Sequence, residues 1–204
     1  MTHASFHGGL KRGLDIAGSL LLLVLSLPLM PILALLVRLD TRGPLFYAQE
    51  RVGMGGKRFR LIKLRTMVHG AETDSGPTWS RHRDPRVTRV GGWLRCTGLD
   101  ELPQLWNVLK ADMSLVGPRP ERPFFVEKFR REIPGYEGRH RVKPGITGWA
   151  QVSGMRGDTP VVERVRLDLE YVRRQSLGLD LSILLRTPFT MVLSNGKAEV
   201  KKAE

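Results

Sequence analysis

The pattern of apolar and polar positions divides the chain near residue 40. Ile16 to Val37 holds 22 residues without a charge, long enough in principle to cross a bilayer. The run is too long for the apolar core of a signal peptide. Its middle reads Ser26-Leu27-Pro28-Leu29-Met30-Pro31. Proline lacks a backbone donor and clashes with the preceding turn, so a sharp bend is predicted near Pro28. Ser26 can bond a carbonyl freed at that bend. The break leaves halves of 12 and 10 residues, each about 15–18 Å long at the helical rise. Neither half crosses a hydrocarbon layer of about 30 Å. Lys11 and Arg12 precede the segment, while Arg38 and Arg42 follow it, which places both ends in the cytoplasm under the positive-inside rule. Proline and charge leave two forms open, a re-entrant hairpin and a kinked spanning helix.

Beyond Arg38 the pattern becomes that of a mixed domain. Asp40-Thr41-Arg42-Gly43-Pro44 predicts a turn. Leu45–Val52 and Arg58–Thr66 predict two short strands around Gly53-Met54-Gly55-Gly56, a β-hairpin. The glycine cluster before Lys57 does not make a phosphate loop, because Arg58 stands where G-x-x-x-x-G-K-S/T requires a hydroxyl. His69 to Pro85 is polar and predicts a loop. Glu121 to Glu132 predicts an amphipathic helix with Phe124, Phe125 and Phe129 on one side, for the core or for a membrane interface. Gly135 to Gly154 predicts a punctuated loop. Thr159 and Pro160 suit N-cap and N1 of a helix running to about Arg174. Asp180 to Leu193 is apolar enough for the core or the interface, and the chain from Asn195 is expected to fray.

Composition adds a constraint on partners. The 204 residues suit one domain with an appended membrane element. Lys and Arg number 33 against 20 acidic residues, a formal charge of +13, which points to nucleic acid, an anionic membrane surface or phosphorylated small molecules. From Arg51 to Arg95 there are 11 basic residues and only Glu72, Asp74 and Asp84 against them. That stretch is either a solvated face or a surface for phosphates and headgroups. The single Cys96 forms no internal disulfide, and the five histidines lack metal-ligand spacing.

The densest chemistry lies in Leu99-Asp100-Glu101-Leu102-Pro103-Gln104-Leu105-Trp106-Asn107-Val108-Leu109-Lys110, continuing to Gly117-Pro118-Arg119-Pro120. Read alone, Asp100 and Glu101 are cap and first-turn residues of a helix that includes Leu105 to Leu109, with Thr97 an alternative cap. A helix N-terminus also attracts phosphate, so the two roles are compatible.

This run, with Lys-Leu-Arg-Thr-Met at 63–67 and Arg95 five residues before Asp100, resembles the bacterial sugar transferases, the monotopic polyprenol-phosphate phosphoglycosyl transferases. The likeness runs from about Lys11 to Leu193. It implies an α+β, mainly α, fold: a single cytoplasmic catalytic domain (residues 40–204) with a β-hairpin, behind an N-terminal tail and re-entrant membrane helix (1–39) broken at Ser26 and Pro28. It also implies transfer of a sugar 1-phosphate from a UDP-sugar to polyprenol phosphate, on the cytoplasmic face of the bacterial inner membrane. Asp100 would be the nucleophile that forms an aspartyl-phosphosugar and expels UMP. Glu101 would be a ligand of the Mg2+ cofactor. Lys63, Arg65, Arg95, Arg119 and Arg156 would bind phosphate or nucleotide. Gly154-Met155-Arg156-Gly157-Asp158-Thr159 resembles the exopolysaccharide-initiating branch and implies a UDP-hexose donor. Gly98 stands where a Ser often precedes Leu-Asp-Glu in the family, and Ala111 where Gly is common. The sequence begins directly at the re-entrant segment, so the spanning helices of larger relatives are not expected.

Two other classes compete. A basic membrane-anchored module for nucleic acid or anionic lipid explains the charge and the apolar segment, but not the run from Leu99 to Pro120; zinc-finger spacing and aromatic RNA-binding signatures are missing. A non-covalent nucleotide phosphotransferase lacks a Walker motif. The expected partners are therefore UDP-sugar, polyprenol phosphate and the membrane, without nucleic acid, and with a homodimer left open.

Overall fold

The computed structural model describes the backbone of residues 2–200 except 74, 75, 77, 80–83 and 158, and the side chains of residues 8–191 within that range. The domain is mixed and mostly helical, with two small two-stranded sheets among the described residues.

The apolar segment folds as two helices, α1 (Thr2–Ser26) and α2 (Leu29–Asp40), bent by 64° at the break. Ser26 Oγ donates to Leu23 O at 2.8 Å, and Pro28 stands at the N-cap of α2, so both residues sit at the bend as expected. No single helix among the described residues is long and apolar enough to cross a membrane. Both ends of the pair attach to the same domain. Arg12 donates to Val108 O and Leu109 O at 2.6 and 2.7 Å, and Leu33 and Val37 of α2 pack with Leu64 and Leu94. Leu20, Leu21, Val24, Leu25 and Leu27 of α1 and its end, with Ile32, Leu35 and Leu39 of α2, remain exposed.

The predicted hairpin is present as β1 (Phe46–Val52) and β2 (Arg58–Leu64), antiparallel with Tyr47 opposite Lys63 and Val52 opposite Arg58. Gly55 and Gly56 turn the chain at φ 65° and 76°, where glycine carries no Cβ penalty. The strands stop short of the predicted Thr66 because the chain turns to meet α2. The sequence reading omitted α3 (Arg89–Thr97), a helix with two glycines near its start. A Cβ on Gly91 would lie 2.1 Å from Thr66 O, so glycine there permits helix and backbone to touch. Then come α4 (Gln104–Leu109), β3 (Ser114–Val116) and α5 (Pro123–Glu132). Next are β4 (Gly145–Thr147), parallel to β3, and the short α6 (Trp149–Val152), followed by α7 (Val161–Arg174) and α8 (Leu177–Val200).

Several boundaries differ from the sequence reading. Helix α5 begins at Pro123 rather than Glu121, because Glu121 is engaged by two arginines. Helix α7 begins at Val161 with Pro160 as its cap residue, while Thr159 Oγ1 accepts from Arg164 at 3.4 Å instead of capping. Phe125 and Phe129 are core residues and Phe124 is exposed. Helix α8 continues through Asn195, where fraying was expected; residues 201–204 lie outside the described part.

The main core gathers Leu61, Leu105, Val108, Met113, Leu115, Val116, Tyr171 and Ile183. A second cluster unites Val52, Phe125, Val126, Phe129, Ile133, Tyr136 and Val165. The Leu99–Pro120 run crosses the region where these clusters meet the hairpin.

Candidate active site

The site starts at the end of α3. Thr88 caps that helix by accepting from Gly91 N at 3.0 Å, and Asp40 Oδ2 of α2 accepts from Val90 N at 3.0 Å. Thr97 is therefore the last residue of α3, not the cap of the helix that follows. Gly98 ends α3 at φ 72°, a left-handed conformation that glycine adopts freely. A Cβ there would lie 2.7 Å from Met191 Cε. Glycine at position 98 thus has a local physical reason. Leu99–Glu101 then forms a single tight turn before α4, so Asp100 and Glu101 precede that helix rather than occupy its first turn.

Asp100 is buried. Burial pushes its carboxyl up to about 6; the charge of Glu101 adds to the rise, and Lys63, Arg119 and Arg95 oppose it. Burial alone would raise Glu101 too, but the charge and hydrogen bonds of Arg119, with Lys63 and Arg156 beyond, hold it below the usual carboxylate range. Arg119 grips Glu101 with both arms, Nη2 to Oε1 at 2.5 Å and Nη1 to Oε2 at 3.3 Å. The Arg119 side chain keeps 42% of its surface accessible, so this fork can still meet a ligand.

Lys63 approaches from β2. Burial lowers its amine to about 8, and Asp100 holds it back from falling further. Its Nζ lies 5.6 Å from the Tyr47 ring centroid. Arg95 bonds Thr66 Oγ1 through Nε at 2.8 Å and feels Asp100 as its strongest attractive charge. Arg156 is anchored by Nε to Gln151 O at 3.2 Å, and among the described residues its buried Nη2 has no hydrogen-bond partner. Its neighbour Asp158 lies outside the described residues.

Five of the six charged candidates other than Asp100 therefore converge on that carboxylate or its neighbour: Lys63, Arg95, Glu101, Arg119 and Arg156. Arg65 does not. It is buried and donates to the carbonyls of Val37 at 3.4 Å, Thr41 at 2.7 Å and Arg42. Three acceptors at the end of α2 use its guanidinium, which makes Arg65 a cap for that helix. The sequence reading overlooked Arg51, which is close enough to Lys63 to lower it and which donates to Pro120 O at 3.1 Å. Strand alternation carried the signal, since Arg51, Gln49 and Tyr47 share one face of β1 and Tyr47 is paired with Lys63. The described part of the 69–85 loop is tied down by Glu72, which accepts from both arms of Arg122 at 2.7 and 2.9 Å.

Two adjacent carboxylates with unlike proton affinities, surrounded by Lys and Arg, suit chemistry on a phosphoanhydride. Among the described residues no group of three or more His, Cys, Asp or Glu side chains could hold a metal. Mg2+ commonly uses one or two carboxylates and takes its other ligands from water and substrate phosphates. The Asp100–Glu101 pair fits that habit.

A model of the bacterial sugar transferase family matches residues 6–194. The chain is 47% identical over 184 residues to the UDP-glucose:undecaprenyl-phosphate glucose-1-phosphate transferase of Escherichia coli K12, covering 88% of this chain and 39% of that protein. It is 45% identical over 181 residues to the Caulobacter vibrioides protein of the same name, covering 87% of this chain and 67% of the relative. It is 44% identical over 189 residues to the UDP-N-acetylgalactosamine-undecaprenyl-phosphate N-acetylgalactosaminephosphotransferase of Aeromonas hydrophila, covering 92% of this chain and 44% of that protein. The chain thus spans less than half of the Escherichia and Aeromonas relatives. With the family match running through nearly its whole length, the chain belongs to the bacterial sugar transferases.

Proposed function

We propose that the protein transfers a sugar 1-phosphate from a UDP-sugar to undecaprenyl phosphate and releases UMP, in two steps through Asp100. The observation that carries this reading is the buried Asp100 carboxylate facing a surround of Lys63, Arg95 and the Arg119–Glu101 pair. An Asp100 oxygen attacks the β-phosphorus, a new O–P bond forms, and the bond to the UMP oxygen breaks with its electron pair leaving on UMP. A phosphate oxygen of the polyprenol then attacks the same phosphorus and frees the carboxylate. Covalent catalysis of this kind divides one hard transfer into two easier ones.

The chain's own residues set the conditions. Ionised Asp100 is the attacking group, and burial removes the water that would otherwise blunt it. Lys63 and Arg95 reduce repulsion between the carboxylate and an anionic donor. Arg119 presents a planar fork suited to bidentate phosphate binding, and Arg156 Nη2, without a partner among the described residues, offers another donor. Glu101, with phosphate oxygens of the substrate, would hold Mg2+, which supplies charge neutralisation when bound.

The apolar pair is a re-entrant anchor in this reading. Lys11, Asp15 and Ser19 hold one face of α1 against the domain, while Ile16 and the residues from Leu20 onward expose apolar surface. From Ile16 to the bend is roughly 18 Å of helix, short of a hydrocarbon layer of about 30 Å. Because both arms return to the domain, both ends lie on its side, which we place on the cytoplasmic face. Leu181, Leu185 and Phe189 give α8 a further exposed apolar stripe suited to the interface. A UDP-hexose donor and a role in exopolysaccharide initiation complete the proposal.

Incubation with UDP-glucose alone tests it. The enzyme should release about one equivalent of UMP per active site and gain one hexose phosphate in intact mass, on the peptide containing Asp100. UMP appearing only with undecaprenyl phosphate would favour direct transfer. Asp100→Asn should lower turnover more than about 10³-fold, the scale of losing a covalent route. UDP-N-acetylgalactosamine in a parallel reaction decides between donor classes.

A further inference from the structure

Pro118-Arg119-Pro120 has one backbone N–H, because proline has none. Such a segment cannot be held by a ladder and must be fixed through its acceptors. Each carbonyl from 118 to 121 is taken. Pro118 O accepts from Gly145 N at 3.0 Å and Glu121 O from Val52 N at 2.9 Å. Pro120 O accepts from Arg51 Nη1 at 3.1 Å. Arg119 O accepts from Arg139 Nη2 at 2.8 Å. The last bond belongs to a side chain that the chemistry above does not use.

Arg139 is 3% exposed and Asp168 2%. Arg139 binds Asp168 Oδ2 through Nε at 3.1 Å and Nη2 at 2.6 Å, and Tyr136 OH through Nη1 at 2.9 Å. Three of its corners are thus fixed before it reaches the Arg119 carbonyl. A buried ion pair is weak evidence of stabilisation, since an apolar replacement often serves as well. Its geometry is the more informative property: a planar fork sets a direction that an ammonium cannot.

We infer that Arg139, oriented by Asp168 and Tyr136, is a positioning residue that fixes the Arg119 backbone and so the line along which the Arg119 guanidinium meets Glu101 and the donor phosphates. The role in phosphate binding rests on the function proposed above; the placement of the segment does not.

Arg139→Lys tests it, because the charge facing Asp168 is kept and the fork is lost. kcat/KM should fall about 10–100-fold, the range seen when a residue orienting a ligand's partner is changed. In an Arg119→Lys background the same change should cost less than about threefold, because its effect passes through Arg119. Independent, multiplying losses would overturn the inference, as would full activity in Arg139→Lys. Should that variant not fold, Tyr136→Phe removes one Arg139 bond, keeps the ring, and carries the same cycle. Hydrogen exchange supplies a readout that needs no turnover. Amides in 117–122 should exchange faster in Arg139→Lys while the rest of the domain is unchanged. Faster exchange throughout, or none in that segment, would overturn the positioning role. A wild type inactive on every UDP-sugar, with exchange altered as described, would refute the function and leave the positioning intact.

Discussion

Lys11 Nζ lies 2.6 Å from Asp180 Oδ2, joining α1 to α8 across 169 positions of sequence. The same ammonium reaches Val116 O at 3.0 Å and Tyr171 OH at 3.3 Å. Four residues below it on the same face of α1, Asp15 accepts from Ser114 Oγ and Leu115 N at 2.9 Å each. The first helix therefore holds the strand that leads into Gly117 and Pro118. Lys11→Met leaves Asp180, 1% exposed, buried without its cation, which costs about 3–5 kcal/mol. Adding Asp180→Asn should return part of that loss. Thermal unfolding in nanodiscs reads both, and an unchanged midpoint in Lys11→Met would mean that the pair does not form.

Arg65 and Arg119 should separate cleanly in kinetics. Arg65→Gln removes bonds to three carbonyls at the end of α2 and should destabilise the fold by about 1–3 kcal/mol, leaving KM for the UDP-sugar within about twofold. Arg119→Lys should instead raise KM or lower kcat at least tenfold, with the unfolding midpoint little changed. A large KM effect in Arg65→Gln would return that residue to the substrate site.

Burial makes ionised Asp100 costly to the fold, a cost that the proposed role as nucleophile entails. Its folded pKa of about 6 exceeds the ordinary 3.8, so folding favours the neutral acid. That stabilisation is complete below about pH 4 and is lost as pH rises through 6. At pH 8 the ionised group opposes folding, and Asp100→Asn should stabilise the protein by about 1–3 kcal/mol. For a domain of this size that is several degrees in Tm. The gain should vanish near pH 4; equal gains at both pH values would assign it to another cause. The rate should also fall below pH 6 as the nucleophile protonates, and above about 8 as Lys63 loses its charge.

Ala111 follows α4 at φ 66°, where a Cβ is strained. Ala111→Gly should stabilise the protein by about 0.5–1 kcal/mol, the relief at the left-handed position exceeding glycine's entropy loss in the unfolded chain. A lower denaturation midpoint in this variant would show that the alanine methyl contributes more by packing than its conformation costs.

These residues also mark where sequence reading succeeds. The hairpin was legible because alternation and glycine turns are local signals. The bend was legible because proline acts on its own helix. Arg65 was named through the Lys-Leu-Arg-Thr-Met motif, yet β2 ends at Leu64 and the Arg65 side chain turns toward the end of α2. Lys11 and Arg12 read as flanking charges, and only tertiary structure reveals that their charge is used within the domain. The grouping of Asp100, Lys63 and Arg119 came from family resemblance, since residues far apart in sequence meet through packing that periodicity does not encode. Arg139 was missed for the same reason.

The bend at Pro28 should decide topology. The break between Ser26 and Leu29, the 64° angle and the attachment of both arms to one domain predict that the N-terminus stays on the cytoplasmic side. Replacing Pro28 and Pro31 with Leu restores an unbroken apolar run of 22 residues, long enough to span. The anchoring bonds of Lys11, Arg12 and Asp15 oppose that change, so crossing should be partial, and it should increase when Lys11→Met is added. Gly8 is a suitable reporter position, because a Cβ there meets nothing within 4 Å. With Cys96 replaced by Ser, a cysteine at Gly8 should resist a membrane-impermeant thiol reagent in intact cells. The leucine variant should expose a fraction of it and lose activity in proportion. Labelling of the wild-type bend from outside would overturn the re-entrant form in favour of a kinked spanning helix.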